Sequence, residues 1–223
     1  MARNNKDISM PMALAVKTEL FRRGRFDFIT CRDGKNHDKQ QQALTILTDN
    51  THVEILYGGA AGGAKSWTGA VWLLFMCLAY PGTKWFIGRA ELKRITQSTY
   101  ITFKRVCTMY GVPENLWSFN GQLNYIQFYN GSRIDFLDLQ YKPSDPLYER
   151  YGSIEFTGGW IEEGGEVNFG AYDTLKTRIG RCLNEEYGLK RKLFITCNPK
   201  KNWMYDIFYK PYKANQLAEY RYY

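Results

Sequence analysis

A glycine-rich loop is the sequence feature that most constrains the fold of this chain. The segment Gly58-Gly-Ala-Ala-Gly-Gly-Ala-Lys65-Ser66 follows a short apolar run and precedes a long apolar stretch without proline. It approximates G-x-x-x-x-G-K-[ST], the pattern of loops that bind phosphate groups. Small residues let backbone N–H groups turn inward around an anion, and the amino end of the following helix adds partial positive charge. The sequence therefore predicts a strand, a phosphate-binding loop and a helix in that order.

The loop pattern also predicts contacts for individual residues. In such loops the lysine reaches the β- and γ-phosphates and the next hydroxyl ligates Mg²⁺, so we expect Lys65 to bind ATP and Ser66 to bind the metal. Ala64 departs from the pattern because glycine usually precedes the lysine, and its methyl group could crowd a phosphate oxygen. The residues expected to contact the nucleotide are Gly59, Ala60, Ala61, Gly62, Gly63, Ala64, Lys65 and Ser66.

An acidic pair supplies the partner that such a loop needs. Glu162 and Glu163 follow the run Phe156-Thr-Gly-Gly-Trp-Ile161, which we expect to form a central strand. Open α/β sheets carry their chemistry at the carboxyl ends of their strands. Adjacent side chains on extended backbone point in different directions, so Glu162 is expected to hold the metal and Glu163 to activate water. Taken alone the pair could be a solvated turn, and the phosphate-binding loop upstream favours the catalytic interpretation.

Apolar runs and turn residues alternate along the rest of the chain in the manner of an α/β protein. Strands and helices in succession predict a doubly wound, mainly parallel sheet flanked by helices. The turn Asn130-Gly131-Ser132 between two strand-like runs predicts a β-hairpin in the middle. Residues 1–50 are expected to be partly irregular, and 141–152 to be an exposed loop. The predicted strands are 53–57, 84–88, 125–129, 133–139, 157–161 and 192–197, and the predicted helices are 65–78, 92–110 and 172–182.

Composition limits the class of protein and its partners. A formal net charge of +8 favours an anionic partner such as nucleic acid. The five cysteines are scattered without a C-x-x-C pair, which indicates neither a disulfide framework nor a zinc site. The most apolar window, 70–80, is too short to span a membrane. We therefore expect a soluble protein of a reducing cytoplasm.

Taken together, these segments resemble the ATPase domain of the large terminase subunit, the motor that packages DNA in tailed bacteriophages. The motifs occur in the order typical of that family, from about residue 39 to 205. They are the glutamine-containing run Lys39-Gln-Gln-Gln-Ala-Leu44, the loop 56–66, Trp160-Ile-Glu-Glu163 with Glu166, Arg178-Ile-Gly-Arg181, and Phe194-Ile-Thr-Cys-Asn-Pro199.

The resemblance implies further residue roles and an additional-strand P-loop ATPase fold. Gln40 would recognise adenine, and Asn198, in the coupling motif, would sense the γ-phosphate. Arg178 or Arg181 would be the arginine finger, and Arg89, directly after a predicted strand, is the rival. The resemblance also implies double-stranded DNA, a portal protein and a small terminase subunit as partners, a homo-oligomeric ring, no membrane contact, and a location in the host cytoplasm docked on a procapsid.

The same resemblance suggests how the chain is divided. We expect an N-terminal lead-in with the adenine-recognition segment (1–50), a P-loop ATPase core (51–205), and an extension (206–223) towards a nuclease domain that this sequence lacks. Basic residues on the second predicted helix, Lys93, Arg94, Lys104 and Arg105, could follow a DNA backbone. Two alternatives stay open: a helicase-like nucleic-acid-dependent ATPase, and a non-catalytic nucleotide-binding module that binds DNA. The second is favoured by the departures at Ala64 and at Glu162, which is a glutamate where an aspartate is usual.

Overall fold

An eight-stranded sheet organises the computed structural model, which describes residues 8–30, 34–35, 37–59, 62 and 64–223. The strands, in chain order, are β1 (Glu54–Gly58), β2 (Lys84–Arg89), β3 (Trp117–Asn120), β4 (Tyr125–Phe128), β5 (Arg133–Asp138), β6 (Gly158–Ile161), β7 (Leu193–Cys197) and β8 (Arg221–Tyr222). Their order across the sheet is β3-β4-β5-β2-β6-β7-β1-β8.

Helices cover both faces of the sheet. The α-helices are α1 (Met12–Arg22), α2 (Asp38–Thr48), α3 (Lys65–Ala79), α4 (Leu92–Arg94), α5 (Tyr100–Tyr110), α6 (Phe169–Leu175), α7 (Asn184–Tyr187) and α8 (Lys210–Lys213). The π-helical turns are Ile95–Thr99 and Tyr205–Tyr209, and the 3₁₀ turns are Glu114–Leu116, Glu149–Tyr151 and Gly164–Glu166. Within the described ranges, none of these helices combines the length and apolar character needed to span a bilayer.

Parallel pairing dominates the sheet. Every pair from β5 to β8 across the sheet is parallel, and β3 and β4 add an antiparallel edge next to β5. β7 lies between β1 and β6 and pairs in parallel with both. The predicted doubly wound sheet, its additional strand and its hairpin are therefore confirmed. Because the carboxyl ends of parallel strands meet at one edge, the residues that follow β1, β7 and β6 lie side by side.

Two apolar cores fill the space between the sheet and its helices. On one face, α1, α2, α3 and α5 pack against inward side chains that include Trp85, Trp160 and Phe194. On the other face, α6 and the segment after β7 pack against Phe86 and Ile195. The side chains of successive strand residues thus pack into opposite cores. α3 is apolar on all sides and almost fully buried, as the sequence predicts.

The first fifty residues combine two helices with irregular segments, as the expectation of a partly irregular lead-in states. α1 and α2 form there because both helices bury apolar side chains against α3. The end of α2 is held by the buried Lys192, whose Nζ donates to the carbonyls of Ile46 (2.9 Å) and His52 (2.6 Å) and to Asp49 (2.7 Å). Burial alone would raise the pKa of Asp49, but hydrogen bonds from Lys192 and His52 lower it to about 2. α2 is therefore fixed against the start of β7.

Two further expectations need correction. The helix predicted at 172–182 ends at Leu175, because Ile179 forms a bridge with Phe156 beside β6 and Gly180 adopts a positive φ of 81°. The segment 141–152 is irregular but not uniformly exposed, since the side chains of Tyr148 and Tyr151 pack into the second core. Packing within the fold therefore overrides the local pattern at both places.

Close contact between α3 and the sheet requires glycine at position 69. A Cβ on Gly69 would lie 2.6 Å from the ring of Trp160, which is fully buried and donates through Nε1 to Thr196 Oγ1 at 2.9 Å. Gly69→Ala should therefore lower the free energy of unfolding by about 1–2 kcal/mol, because overpacking outweighs the helix propensity of alanine. Chemical denaturation measures the change.

The Trp160→Phe background serves as the control for this prediction. A smaller ring leaves room for the methyl group, so the same glycine substitution should cost less there. A Gly69→Ala protein that is more stable than the wild type would contradict the packing described.

Candidate functional site

The lysine of the glycine-rich loop lies at the carboxyl edge of the sheet, where β1 ends. Lys65 begins α3 and is 8% exposed, and its Nζ donates to the carbonyl of Gly59 (2.9 Å) and to Oδ1 of Asn198 (3.2 Å). Ser66 follows in the first turn of α3 and is half-buried. Gly59, Gly62 and Ala64 also belong to the loop, and the remaining predicted contacts (Ala60, Ala61 and Gly63) lie outside the described residues.

A line of polar contacts crosses three adjacent strands at this edge. Asn198, directly after β7, accepts from Lys65 and donates through Nδ2 to Oε2 of Glu163 (3.2 Å), which follows β6. Glu163 adopts a left-handed φ of 51°, which turns the chain sharply after the strand. Burial and the nearby Glu163 carboxylate raise the pKa of Cys197 to about 11, so its thiol is neutral. The structure thus brings a cation, an amide and a carboxylate into contact.

The neighbouring carboxylate points elsewhere. Glu162 is 2% exposed, and its Oε2 accepts from the hydroxyl of Thr99 and lies 3.6 Å from Nη1 of Arg89. Thr99 belongs to the π-helical turn before α5, a type of turn often found at functional sites. Arg89 ends β2, so this pair lies at the same edge of the sheet. The two adjacent glutamates therefore have different partners, although the sequence did not indicate Thr99.

A protein-only metal centre is absent from the described part of the chain, where no group of three or more His, Cys, Asp or Glu side chains converges. Ser66 and Glu162 offer one hydroxyl and one buried carboxylate. Mg²⁺ is commonly held by one or two such groups together with phosphate oxygens and water. These two groups would therefore hold a metal only together with a phosphorylated ligand.

A cleft of about 600 Å³ lies beside the loop, between α2 and β8. Gln40, on α2, is 1% exposed and donates through Nε2 to Thr68 Oγ1 at 3.2 Å. No described residue forms a hydrogen bond with its buried Oε1. The opposite wall includes Tyr222 and Tyr223, which no sequence pattern indicated because a two-residue strand has no detectable periodicity.

The arginines of the R-x-x-R motif lie near the amino ends of the parallel strands, opposite to the carboxyl ends that carry the acidic pair. The backbone carbonyl of Arg178 accepts from the amide of Phe156, which precedes β6, whereas Glu162 follows β6. Arg181 Nη1 is 4.0 Å from Glu155, and among the described residues nothing pairs with the buried Nε of Arg178. A four-residue strand spans about 13 Å. Of the three candidate arginines, Arg89 alone reaches the acidic pair within one chain.

Comparison of the sequence with models of protein families identifies one family. A family model described as phage terminase large subunit matches residues 50–223. No curated protein matches the chain.

Solved structures with the same fold are available. The HK97 bacteriophage large terminase aligns with a TM-score of 0.66 and 11% identity over 92% of this chain and 43% of that one. The large terminase of a thermophilic bacteriophage, in complex with ADP, gives 0.62 and 13% over 83% and 45%. The Thermus phage P74-26 large terminase ATPase domain gives 0.55 and 15% over 82% and 72%. The chain thus spans less than half the length of the first two proteins, and its fold is that of a terminase ATPase domain.

Ala64 gives a direct test of the loop geometry. It adopts a left-handed φ of 52°, which costs an L-residue about 1–2 kcal/mol. Ala64→Gly removes that cost and adds a smaller entropic one in the unfolded chain, so it should raise the free energy of unfolding by about 0.5–1 kcal/mol.

The reverse change in the same loop is the matched control. Gly62 has a φ of 90°, and Gly62→Ala should lower stability because it forces a side chain into that region. Denaturation midpoints that move the other way in either variant would contradict the loop conformation.

Proposed function

The chain belongs to the phage terminase large subunit family, and we propose that it hydrolyses ATP with Mg²⁺ to translocate double-stranded viral DNA into a capsid. The observation that carries the proposal is the line of contacts from Lys65 through Asn198 to Glu163, across β1, β7 and β6. A phosphate-binding cation and a candidate base are there joined by one amide. The large terminase of the thermophilic bacteriophage, which shares the fold, has structures in complex with ADP and with ATP-γ-S.

Lys65 and the loop would bind the triphosphate. The ammonium group is held over the loop by the Gly59 carbonyl and by Asn198, so it is already positioned to receive phosphate oxygens. Ser66 and Glu162 would hold Mg²⁺, which neutralises phosphate charge when bound. Gln40 would contact adenine through its side-chain amide. Arg89 and Thr99 would orient the Glu162 carboxylate, since both contact Oε2.

Glu163 is the proposed base. Its carboxylate would accept a proton from the water that attacks the γ-phosphorus, while the bond to the bridging oxygen breaks and ADP leaves. Asn198 contacts both this carboxylate and the ammonium of Lys65. A γ-phosphate that draws Lys65 towards itself would therefore disturb the Asn198 contact to Glu163, and this is how Asn198 would sense the nucleotide.

DNA binding and assembly complete the proposal. Lys93 lies on α4, and Lys104 and Arg105 lie on α5, all three exposed, whereas Arg94 is neutralised by Glu91 (3.0 Å) and by a second carboxylate nearby. The three exposed cations could contact a DNA backbone. We further propose that the active form is a ring of copies in the host cytoplasm, docked on a procapsid through a portal protein and aided by a small terminase subunit.

Glu163→Gln tests the base. The amide keeps the shape of the side chain and can still accept from Asn198, but it cannot take a proton from water. The variant should therefore bind ADP as the wild type does and lose roughly 10²-fold or more in phosphate release. Calorimetric ADP titration and steady-state phosphate release measure the two properties.

Glu149→Gln is the control, since Glu149 is exposed and lies outside the acidic strand end that follows β6. It should retain turnover. Equal loss in both variants, or full turnover by Glu163→Gln, would contradict the assignment.

The arginine finger is tested by mixing variants. Because Arg178 and Arg181 lie at the opposite edge from the acidic pair, either can act only on a neighbouring subunit. Loss of such a finger should cost on the order of 10³ in turnover. A mixture of Glu163→Gln with the double variant Arg178→Ala/Arg181→Ala should then be more active than either parent, with activity that rises steeply with protein concentration.

Mixing Glu163→Gln with Arg89→Ala gives the contrast. Arg89 contacts Glu162 of its own chain, so this mixture should show no rescue. If the mixture with Arg89→Ala regained activity and the mixture with the double variant did not, Arg89 would be the finger that acts on a neighbouring subunit.

A further inference from the structure

Strand β8 brings two tyrosines to the cleft beside the phosphate loop. It pairs in parallel with β1, with Tyr222 opposite Ile55. The ring of Tyr223 lies 3.9 Å from the position that a Cβ on Gly58 would occupy. Both side chains line the same cleft as Lys65 and Gln40. The wall opposite α2 is therefore aromatic.

Ionic and backbone contacts hold this short strand in place. Arg221 Nε contacts Glu54 Oε2 at 2.6 Å, and the same oxygen accepts from Tyr172 OH at 2.8 Å. The Tyr220 carbonyl accepts from the amide of Val53 at 2.7 Å. Glu54 is 6% exposed, so these are buried contacts. A buried carboxylate that needs both donors keeps β8 against β1.

The Tyr222 ring is itself fixed. Its hydroxyl accepts from Gln42 Nε2 at 2.8 Å, and its ring meets that of His52 edge to face, with centroids 5.4 Å apart. A ring held through its hydroxyl and through a contact with a second ring loses little conformational entropy when a ligand packs on it.

We propose that Tyr222 is the side chain against which the base of the bound nucleotide packs, an inference that rests on the proposed ATP binding. The cleft combines a flat aromatic wall with the buried, unbonded Oε1 of Gln40. Adenine matches both, because it offers an aromatic face to the ring and an amino group to the oxygen. Stacking between a base and an aromatic side chain makes a substantial contribution to affinity. Tyr222 therefore determines whether the site prefers a nucleotide over a bare polyphosphate.

Two probes separate the base from the phosphates. ADP occupies the loop and the cleft, whereas inorganic tripolyphosphate occupies the loop alone. Tyr222→Leu keeps apolar bulk and removes the aromatic face, and Tyr222→Phe keeps the face and removes the contact to Gln42. Tyr220→Leu is the matched control, because Tyr220 lines a groove at the opposite edge of the sheet.

Calorimetric titration of each variant with both probes, in the presence of Mg²⁺, gives the test. Tyr222→Leu should weaken ADP binding on the order of ten-fold and leave tripolyphosphate binding within about two-fold of wild type. Tyr222→Phe should lie close to wild type for both probes, and Tyr220→Leu should change neither.

Unchanged ADP affinity in Tyr222→Leu, or equally weakened binding of both probes, would overturn the inference about Tyr222. Either result would leave the proposed phosphate-binding role of the loop unaffected. A wild-type protein that binds tripolyphosphate as tightly as ADP would also overturn it. A wild-type protein that binds neither probe would overturn the proposed function itself.

Discussion

Parallel pairing of β1, β7 and β6 is the constraint on which the candidate site depends. Each strand ends at the same edge, and each is followed by part of the proposed site: the loop and Lys65 after β1, Asn198 after β7, and the two glutamates after β6. A one-residue slip in the register would turn Asn198 away from the edge. The contacts of 3.2 Å on either side of Asn198 are possible only in this register. The buried ammonium of Lys65 in turn needs these acceptors, since an unpaired buried charge is costly.

Two buried ion pairs hold the walls of the cleft. Lys192 contacts Asp49 at 2.7 Å and fixes α2, and Arg221 contacts Glu54 at 2.6 Å and fixes β8. Burial lowers the pKa of Lys192, whereas the hydrogen bond from Lys192 lowers the pKa of Asp49, so the attraction within the pair offsets part of the cost of burial. Loss of either partner would leave the other charge unpaired. The two ion pairs hold Gln40 and Tyr222 on opposite sides of one cleft.

The glycine-rich loop, the acidic strand end and the central strands could be predicted from the sequence because their signals are local. Small residues before Lys65 and an apolar run before Glu162 identify their elements without knowledge of the rest of the fold. The helix expected at 172–182 ends early because Ile179 pairs with Phe156, a contact that no local pattern contains. Thr99 and Tyr222 were missed for the same reason, since each is brought to the site by pairing or packing with distant segments. The roles of Arg178 and Arg181 rest on a motif, and the fold separates that motif from the acidic pair within one chain.

The central claim is that the edge formed by β1, β7 and β6 hydrolyses ATP. It is tested most directly by steady-state phosphate release from ATP and Mg²⁺ at high protein concentration, with and without double-stranded DNA, for the wild type and Lys65→Ala. The wild type should release phosphate, DNA should stimulate that release, and both should be lost in Lys65→Ala, which removes the buried cation proposed to bind the phosphates. Equal release by the two proteins would contradict the central claim.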